Sequence, residues 1–343
     1  MNVPDGRHTY EEITSQSRVW PAVLADFDGL TLPAPSAYDE VLVTGCGSTH
    51  YLAQWAAARC EELHGVRAVA VPASDLLVAP TAWLRDGRSL LVVVSRSGET
   101  TESLRAVAAF RDRCDGDVLA ITCAPESALA LAADATLAAP AARELSFAQT
   151  RTFTSMMLAV ARWLLGPADR GVGEALAVAG ARILRSGERL VDALASERVR
   201  TFFFLGSGPR YGLACEAMLK MTEMALAPAR AFHTLELRHG PISLVDERSA
   251  VVALLDDPDG LEADVLSDMA RLGARTAAVA PTPVAAADDT LVIADDVPPV
   301  WRDVLYLPAL QMMAYERAVR AGLDPDRPAN LDAVVVLEDR WGG

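Results

Sequence analysis

A chain of 343 residues, 51% hydrophobic and 22% charged, exceeds the usual size of one domain and is too apolar to be disordered, which points to two globular domains. Its formal net charge of -15 and the lack of any dense Lys/Arg run exclude nucleic-acid binding through a basic surface, although local backbone amides can still hold a small anion. No uncharged apolar run reaches the roughly 18 residues that span a bilayer, and five scattered cysteines without CxxC spacing read as thiols of a reducing compartment, so the chain is expected in the cytoplasm with no membrane association.

A helix is predicted to begin near Tyr10. The first apolar β-type run, 41–44, ends in Gly45-Cys46-Gly47-Ser48-Thr49, which reads as strand, glycine turn and helix, the helix running over 49–64. Apolar runs at 67–73, 89–94 and 118–122 alternate with helical stretches at 101–113 and 127–133. Continuous apolar strands separated by helices predict a parallel sheet covered on both faces. Helices over 152–165 and 173–194 flank Gly166-Pro167-Ala168-Asp169-Arg170-Gly171, whose helix breakers mark the domain boundary. The pattern then restarts: 201–205 is apolar and aromatic, ends in Gly206-Ser207-Gly208-Pro209, and leads into a helix over 210–227. Strands at 250–255, 276–280 and 291–294, a helix over 261–272 and a long closing helix over 300–321 complete the second unit. The organisation is an N-terminal helical segment at 1–36, a first α/β domain at 37–168, a connecting helix at 172–196, a second α/β domain at 197–326 and a tail at 327–343. Two doubly wound parallel sheets in tandem, each with the same opening device, are the form of a duplicated fold.

The most specific chemical signal is Ser95-Arg96-Ser97-Gly98-Glu99-Thr100, placed where a strand ends and the next helix starts. At that edge the free N–H groups of the first helical turn and three hydroxyls can meet phosphate oxygens, and the glycine lets the backbone approach closely. Gly45-x-Gly47 lacks the third glycine of a dinucleotide fingerprint, and no acidic residue closes the strand at 67–73 to hold a ribose, so no nicotinamide cofactor is expected. Glu216, Lys220 and Glu223 fall at i, i+4 and i+7 of one helix and share a stripe. A Glu with a Lys four residues later is ordinarily a surface salt bridge worth about 0.3 to 0.5 kcal/mol. Here the helix starts at the Gly206 turn and should border the crevice. Gly240-Pro241 breaks any helix and places His239 on a loop, where an imidazole can give and take a proton. His233 and His239 lack HExxH spacing, so no metal site is expected, and without a GxSxG elbow serine-hydrolase chemistry has no anchor.

Glu12-Ile13-Thr14-Ser15-Gln16 is similar to an EIxxQ start, the Gly45 to Thr49 turn to GCGTS, and Ser95 to Thr100 to SQSGET. Glu144 through Thr154 resembles ExxxxSTKAFT, Phe204 to Gly208 resembles FLGRG, Glu216 to Glu223 resembles EGALKLKE, and Glu236 to Pro241 resembles ELKHGP. Over nearly the whole chain these segments resemble the tandem SIS (sugar isomerase) family, which includes the isomerase half of glucosamine-6-phosphate synthase and related amino-sugar-phosphate isomerases and deaminases. The resemblance implies two flavodoxin-like three-layer α/β/α domains. It also implies a phosphate held by Ser95, Ser97 and Thr100, with the Arg96 main chain beside them and Thr49 helping. Gly47, Ser48, Gln149 and Glu216 stand at substrate-binding positions. Glu223 matches the base that moves a proton between C1 and C2, Lys220 lies alongside, and His239 matches the ring-opening residue. In the family that histidine commonly reaches in from a second subunit, which implies a homodimer with composite sites.

The sequence also departs from the family. The first cysteine is Cys46, so glutamine-dependent synthesis is not expected, and Ala333 falls where the synthase has its Schiff-base lysine, which speaks against an imine mechanism. Arg96 replaces a Gln and Arg151 a Lys. The expected activity is isomerisation of a hexose or hexosamine phosphate, with or without deamination and without metal or organic cofactor. Amine release from a fructosamine-type phosphate and a non-catalytic sugar-phosphate sensor are the rivals.

Overall fold

The computed structural model describes residues 6–169, 171–293 and 296–337, so Arg170 of the expected boundary, Ala294 of the last expected strand and the tail from 338 onward lie outside the described residues. The chain divides into two compact units, one of Ala22–Arg143, Ser155–Pro167 and Asp332–Gly343, the other of Met1–Pro21, Glu144–Thr154 and Ala168–Leu331.

The first of these holds a five-stranded parallel sheet of β1 (Glu40–Gly45), β2 (Arg67–Pro72), β3 (Arg88–Ser95), β4 (Asp115–Thr122) and β5 (Ala135–Ala138), in the order β2-β1-β3-β4-β5. The other holds β6 (Thr201–Leu205), β7 (Ala229–Phe232), β8 (Ser249–Leu254), β9 (Arg275–Ala280) and β10 (Asp289–Val292). Its order, β10-β9-β8-β6-β7, is the first order read from the opposite edge. The expected fold class of two doubly wound parallel sheets therefore holds. The central strands are the sealed ones: Leu90 to Val94 and Val251 to Leu254 have no exposed surface, and each Leu or Val side chain among them contributes about 1.5 to 3 kcal/mol on burial.

Each sheet opens on the same backbone device. Gly47 (φ 56°, ψ -125°) precedes the helix Ser48–His64, and Gly208 (φ 54°, ψ -133°) precedes the helix Pro209–Ala225. A side chain disfavours that conformation, and only glycine takes it cheaply. Gly45 and Gly206 are required for a different reason. A Cβ on them would lie 2.7 Å from the carbonyl oxygen of Thr49 and 2.5 Å from that of Arg210, the first turns of the two helices.

Three expectations need correction. The edge strands β5 and β7 were not foreseen, because each is four residues long and carries no continuous apolar run. The helix expected at 173–194 is two, Val172–Ser186 and Glu188–Leu194, parted at Gly187. The long helix expected at 300–321 breaks into Pro299–Arg302, a 3-10 turn Asp303–Tyr306 and Pro308–Arg320. Pro308 has no N–H for the preceding turn, and its ring excludes the carbonyl four residues earlier, so it begins a helix instead of continuing one.

Candidate active site

In the unit of the first sheet, Ser95 is the last residue of β3 and is buried. Its Oγ accepts the Gly98 N–H at 3.2 Å, and Ser97 Oγ accepts the Glu99 N–H at 3.1 Å. A hydroxyl that accepts keeps its own hydrogen, so both serines remain able to donate to an anion. Thr100 is the N-cap of the helix Thr101–Arg113, is half-buried, and makes no side-chain capping bond. Gly98 sits at φ +67°, with Ser127 packed where a Cβ would go. Gly98→Ala should therefore cost about 1 to 3 kcal/mol through backbone strain; a melting temperature within a degree of the parent would contradict this.

Thr49, expected to help hold the phosphate, has its hydroxyl engaged within its own turn. Its Oγ1 donates to Cys46 O at 2.9 Å and accepts the Cys46 N–H at 2.9 Å, so its proton is spent holding the glycine turn. Beside it Gly47 has open space at its Cβ position, which leaves the backbone approachable, while Ser48 is buried. Arg96 is half-buried, and its Nη2 donates to Ala333 O at 2.7 Å, on the C-terminal tail of the same unit. A cavity of about 510 Å³ borders the loop on its β4 side, lined by Ser97, Glu99, Pro125, Ser127, Pro140 and Arg143. The loop after β8, the strand that takes the place of β3 in the other sheet, reads Leu255-Asp256-Asp257-Pro258-Asp259. Its carboxylates repel a phosphate, and Asp256 is engaged by Arg302 at 3.0 Å. Of the two duplicated edges, the one at Ser95 to Thr100 presents hydroxyls and main-chain N–H groups where the other presents carboxylates.

In the unit of the second sheet, the stripe on the helix Pro209–Ala225 is not a surface salt bridge. The Glu216 side chain is 0% exposed, that of Lys220 1% and that of Glu223 17%, with Lys220 Nζ 2.6 Å from Glu223 Oε2 and 3.4 Å from Glu216 Oε1. Burial alone would push the lysine down, but the two carboxylates outweigh it and hold its pKa above the ordinary value, so the group is an ammonium. Glu216, expected among substrate contacts, is sealed from solvent, and its carboxylate balances the charge of the ammonium. Glu223 alone of the three keeps appreciable exposure to solvent.

His239 is exposed, at the C-cap of the 3-10 turn Leu235–Arg238, and Gly240 at φ 113° turns the chain into the next 3-10 turn, Pro241–Leu244. His233 stacks on Tyr211 with ring centroids 3.9 Å apart. Gln149 is half-buried, and its Oε1 is buried with no hydrogen-bond partner among the described residues. Its segment is fixed by residues that local patterning did not single out. Glu144 accepts Thr150 N at 2.9 Å and Thr150 Oγ1 at 2.6 Å, and also Arg151 N, closing the start of the helix Arg151–Leu165. Glu12 accepts Ser146 N at 3.3 Å and the Ser146 hydroxyl, and burial, then the neighbouring Glu144 charge, push its carboxyl above the usual range. Gln16 accepts from Thr154 Oγ1 at 2.7 Å and donates to Gln311 Oε1 at 2.8 Å. The only sequence signal for these was the segment-level resemblance. Among the described residues no group of three or more His, Cys, Asp or Glu converges as metal ligands do, and no helix is long and apolar enough to cross a membrane.

The SIS domain model matches residues 37–164. A Streptomyces coelicolor protein, provisionally named the D-galactosamine-6-phosphate deaminase AgaS, is 34% identical over 273 residues, 73% of this chain and 71% of that protein. The chain belongs to the SIS domain family. This SIS-family chain is also 31% identical to the isomerizing glutamine–fructose-6-phosphate aminotransferase of Pyrobaculum aerophilum over 316 residues, 87% of this chain and 52% of that enzyme. It thus spans about half the length of the aminotransferases it matches, 52% in this case. Among solved structures, the tagatose-6-phosphate ketose/aldose isomerase of Escherichia coli aligns with a TM-score of 0.85 and 25% identity over 100% of this chain and 99% of that one. The glucosamine-6-phosphate deaminase of Thermotoga maritima aligns with a TM-score of 0.76 and 26% identity, covering 96% and 100%. The relatives of this SIS-family chain are thus named as sugar-phosphate isomerases and deaminases, as the resemblance anticipated.

Proposed function

We propose that the chain interconverts the aldose and ketose forms of a hexose or hexosamine 6-phosphate. The Ser95 to Thr100 loop grips the phosphate through hydroxyl and main-chain donors, with Gly47 and Ser48 flanking it and Gln149 meeting the sugar. His239 protonates the ring oxygen to open the ring. Glu223 then takes a proton from one of C1 and C2 and returns it to the other, while the Lys220 ammonium stabilises the enediolate formed between the two transfers. The net change is redox-neutral and requires neither metal nor organic cofactor. The observation that carries this reading is the contact of Lys220 with Glu223: a partly exposed carboxylate backed by a buried ammonium, which a binding module has no use for.

A second reading, in which the amino group leaves as ammonia once the hexosamine phosphate has been isomerised, is favoured by the relatives named as deaminases. The site is completed in a homodimer in the cytoplasm, the partner copy receiving His239. Support for that arrangement is the exposure of His239 between two exposed apolar side chains, Leu235 and Leu244, a poor surface to leave in water.

Thermal shift against a panel of hexose and hexosamine 6-phosphates and their unphosphorylated counterparts, followed by NMR of the products, tests the assignment. Phosphorylated sugars alone should raise the melting temperature, and the best binder should be converted. Free ammonia among the products selects the deaminating form. Binding without conversion would make the protein a sensor, and the isomerase reading would be abandoned.

A further inference from the structure

His239 stands on a loop with its own fastening. In the 3-10 turn Leu235–Arg238, Leu237 is fully buried in the same apolar cluster as Val265, Leu266 and Met269 of the helix Ala263–Arg271. The residue between it and the histidine, Arg238, sends Nε at 2.6 Å, and Nη2 as well, to one carboxylate oxygen of Asp268 on that helix. The other Asp268 oxygen is held by Arg271. The clamp is partly shielded, Arg238 being 32% exposed and Asp268 23%, so water screens it less than an open surface pair. A guanidinium held at two nitrogens is fixed in direction as well as distance. One peptide bond further on, the His239 N–H donates to Glu236 O at 3.0 Å, and beyond it Gly240 adopts a φ of 113°. The histidine is therefore tethered firmly on its N-terminal side and followed by a residue with little conformational resistance.

We propose that Asp268 is the positioning residue for His239, fixing its imidazole for ring opening and for no later step. The proposal rests on the reading of His239 as the ring-opening group. In that step the bond between the ring oxygen and the anomeric carbon breaks. The imidazolium gives its proton to the ring oxygen while the anomeric hydroxyl gives one to water, which returns a proton to the imidazole, so protons balance and nothing is oxidised or reduced. Proton transfer between C1 and C2 belongs to Glu223 on a different helix, and loss of the Asp268 clamp leaves it untouched.

The test compares a ketohexose 6-phosphate with its 5-deoxy counterpart, which lacks the hydroxyl that closes a furanose ring and is always open-chain. Asp268→Ala should lower kcat on the ring-forming substrate by about tenfold or more, and on the 5-deoxy substrate by less than about twofold. Asp268→Glu should recover part of the loss. Arg271→Ala, which removes the second partner of Asp268 but not the clamp, should change neither rate. Amide hydrogen exchange on the same proteins needs no catalysis, and in Asp268→Ala the Arg238 and His239 amides should exchange about tenfold faster, as a loosened turn exposes them. Equal loss on both substrates, or unchanged exchange at those two amides, overturns the proposal. A parent protein that converts neither substrate instead defeats the isomerase reading, and the exchange result still decides whether the clamp exists.

Discussion

Glu223→Gln should lower turnover of the preferred sugar phosphate by about 10²- to 10⁴-fold, the range spanned by removal of a general base. The substitution keeps the shape of the side chain and its ability to accept from Lys220 Nζ, now 2.6 Å away, but removes the site that takes the proton. Under the proposed function the phosphate is gripped by the Ser95 to Thr100 loop, so the dissociation constant should stay within about twofold, which assigns the loss to the transition state and not to binding. Steady-state kinetics, together with solvent deuterium incorporation at C1 and C2, separates the two quantities. Deuterium still entering the sugar at the parent rate would remove Glu223 from the reaction.

Lys220→Met should be the most destabilising single change at the site, by about 3 to 5 kcal/mol, because it takes the ammonium away from a neighbouring carboxylate that is wholly out of solvent. Methionine fills much of the lysine volume, so little of the effect is a cavity. Adding Glu216→Gln should restore a large part of the loss, since the second change neutralises the charge the first left uncompensated. Urea unfolding of the two single variants and the double variant closes the cycle; additive losses would mean the pair is not coupled. The pH dependence has a definite sign. The folded-state pKa of Lys220 lies above the ordinary lysine value of 10.5, so the stabilisation is complete below pH 10.5 and is lost as pH rises through the folded value. The parent should therefore show an alkaline fall in stability that the double variant lacks.

Much of the fold was legible because the features that determine it are local. Runs such as Leu90 to Val94 are apolar on every residue, which suits a strand covered on both faces, and Gly47 and Gly208 stand where the backbone takes a conformation that other residues resist. The stripe of Glu216, Lys220 and Glu223 followed from helical spacing alone, as did the position of Ser95 to Thr100 at a strand end. Spacing could not say whether that stripe faced water or the interior, and the difference is large: about 0.3 to 0.5 kcal/mol for an exposed pair against several for a buried one. Nor could it show that the Thr49 proton is spent on its own turn, or that Glu216 is sealed behind the ammonium.

β5 and β7 became strands only because β4 and β6 offered them hydrogen-bonding edges, and nothing in four residues of their sequence demands it. Composition, periodicity and glycine placement thus determined that there are two doubly wound sheets and that Ser95 to Thr100 stands at a strand end. The charge state of Lys220, the fastening of His239 through Arg238 to Asp268 and the grip of Arg96 on the Ala333 carbonyl were decided by tertiary structure. The last two depend on which groups from distant parts of the chain come within hydrogen-bonding distance, and the first on how much water is excluded around three neighbours on one helix, and neither quantity is written in local order.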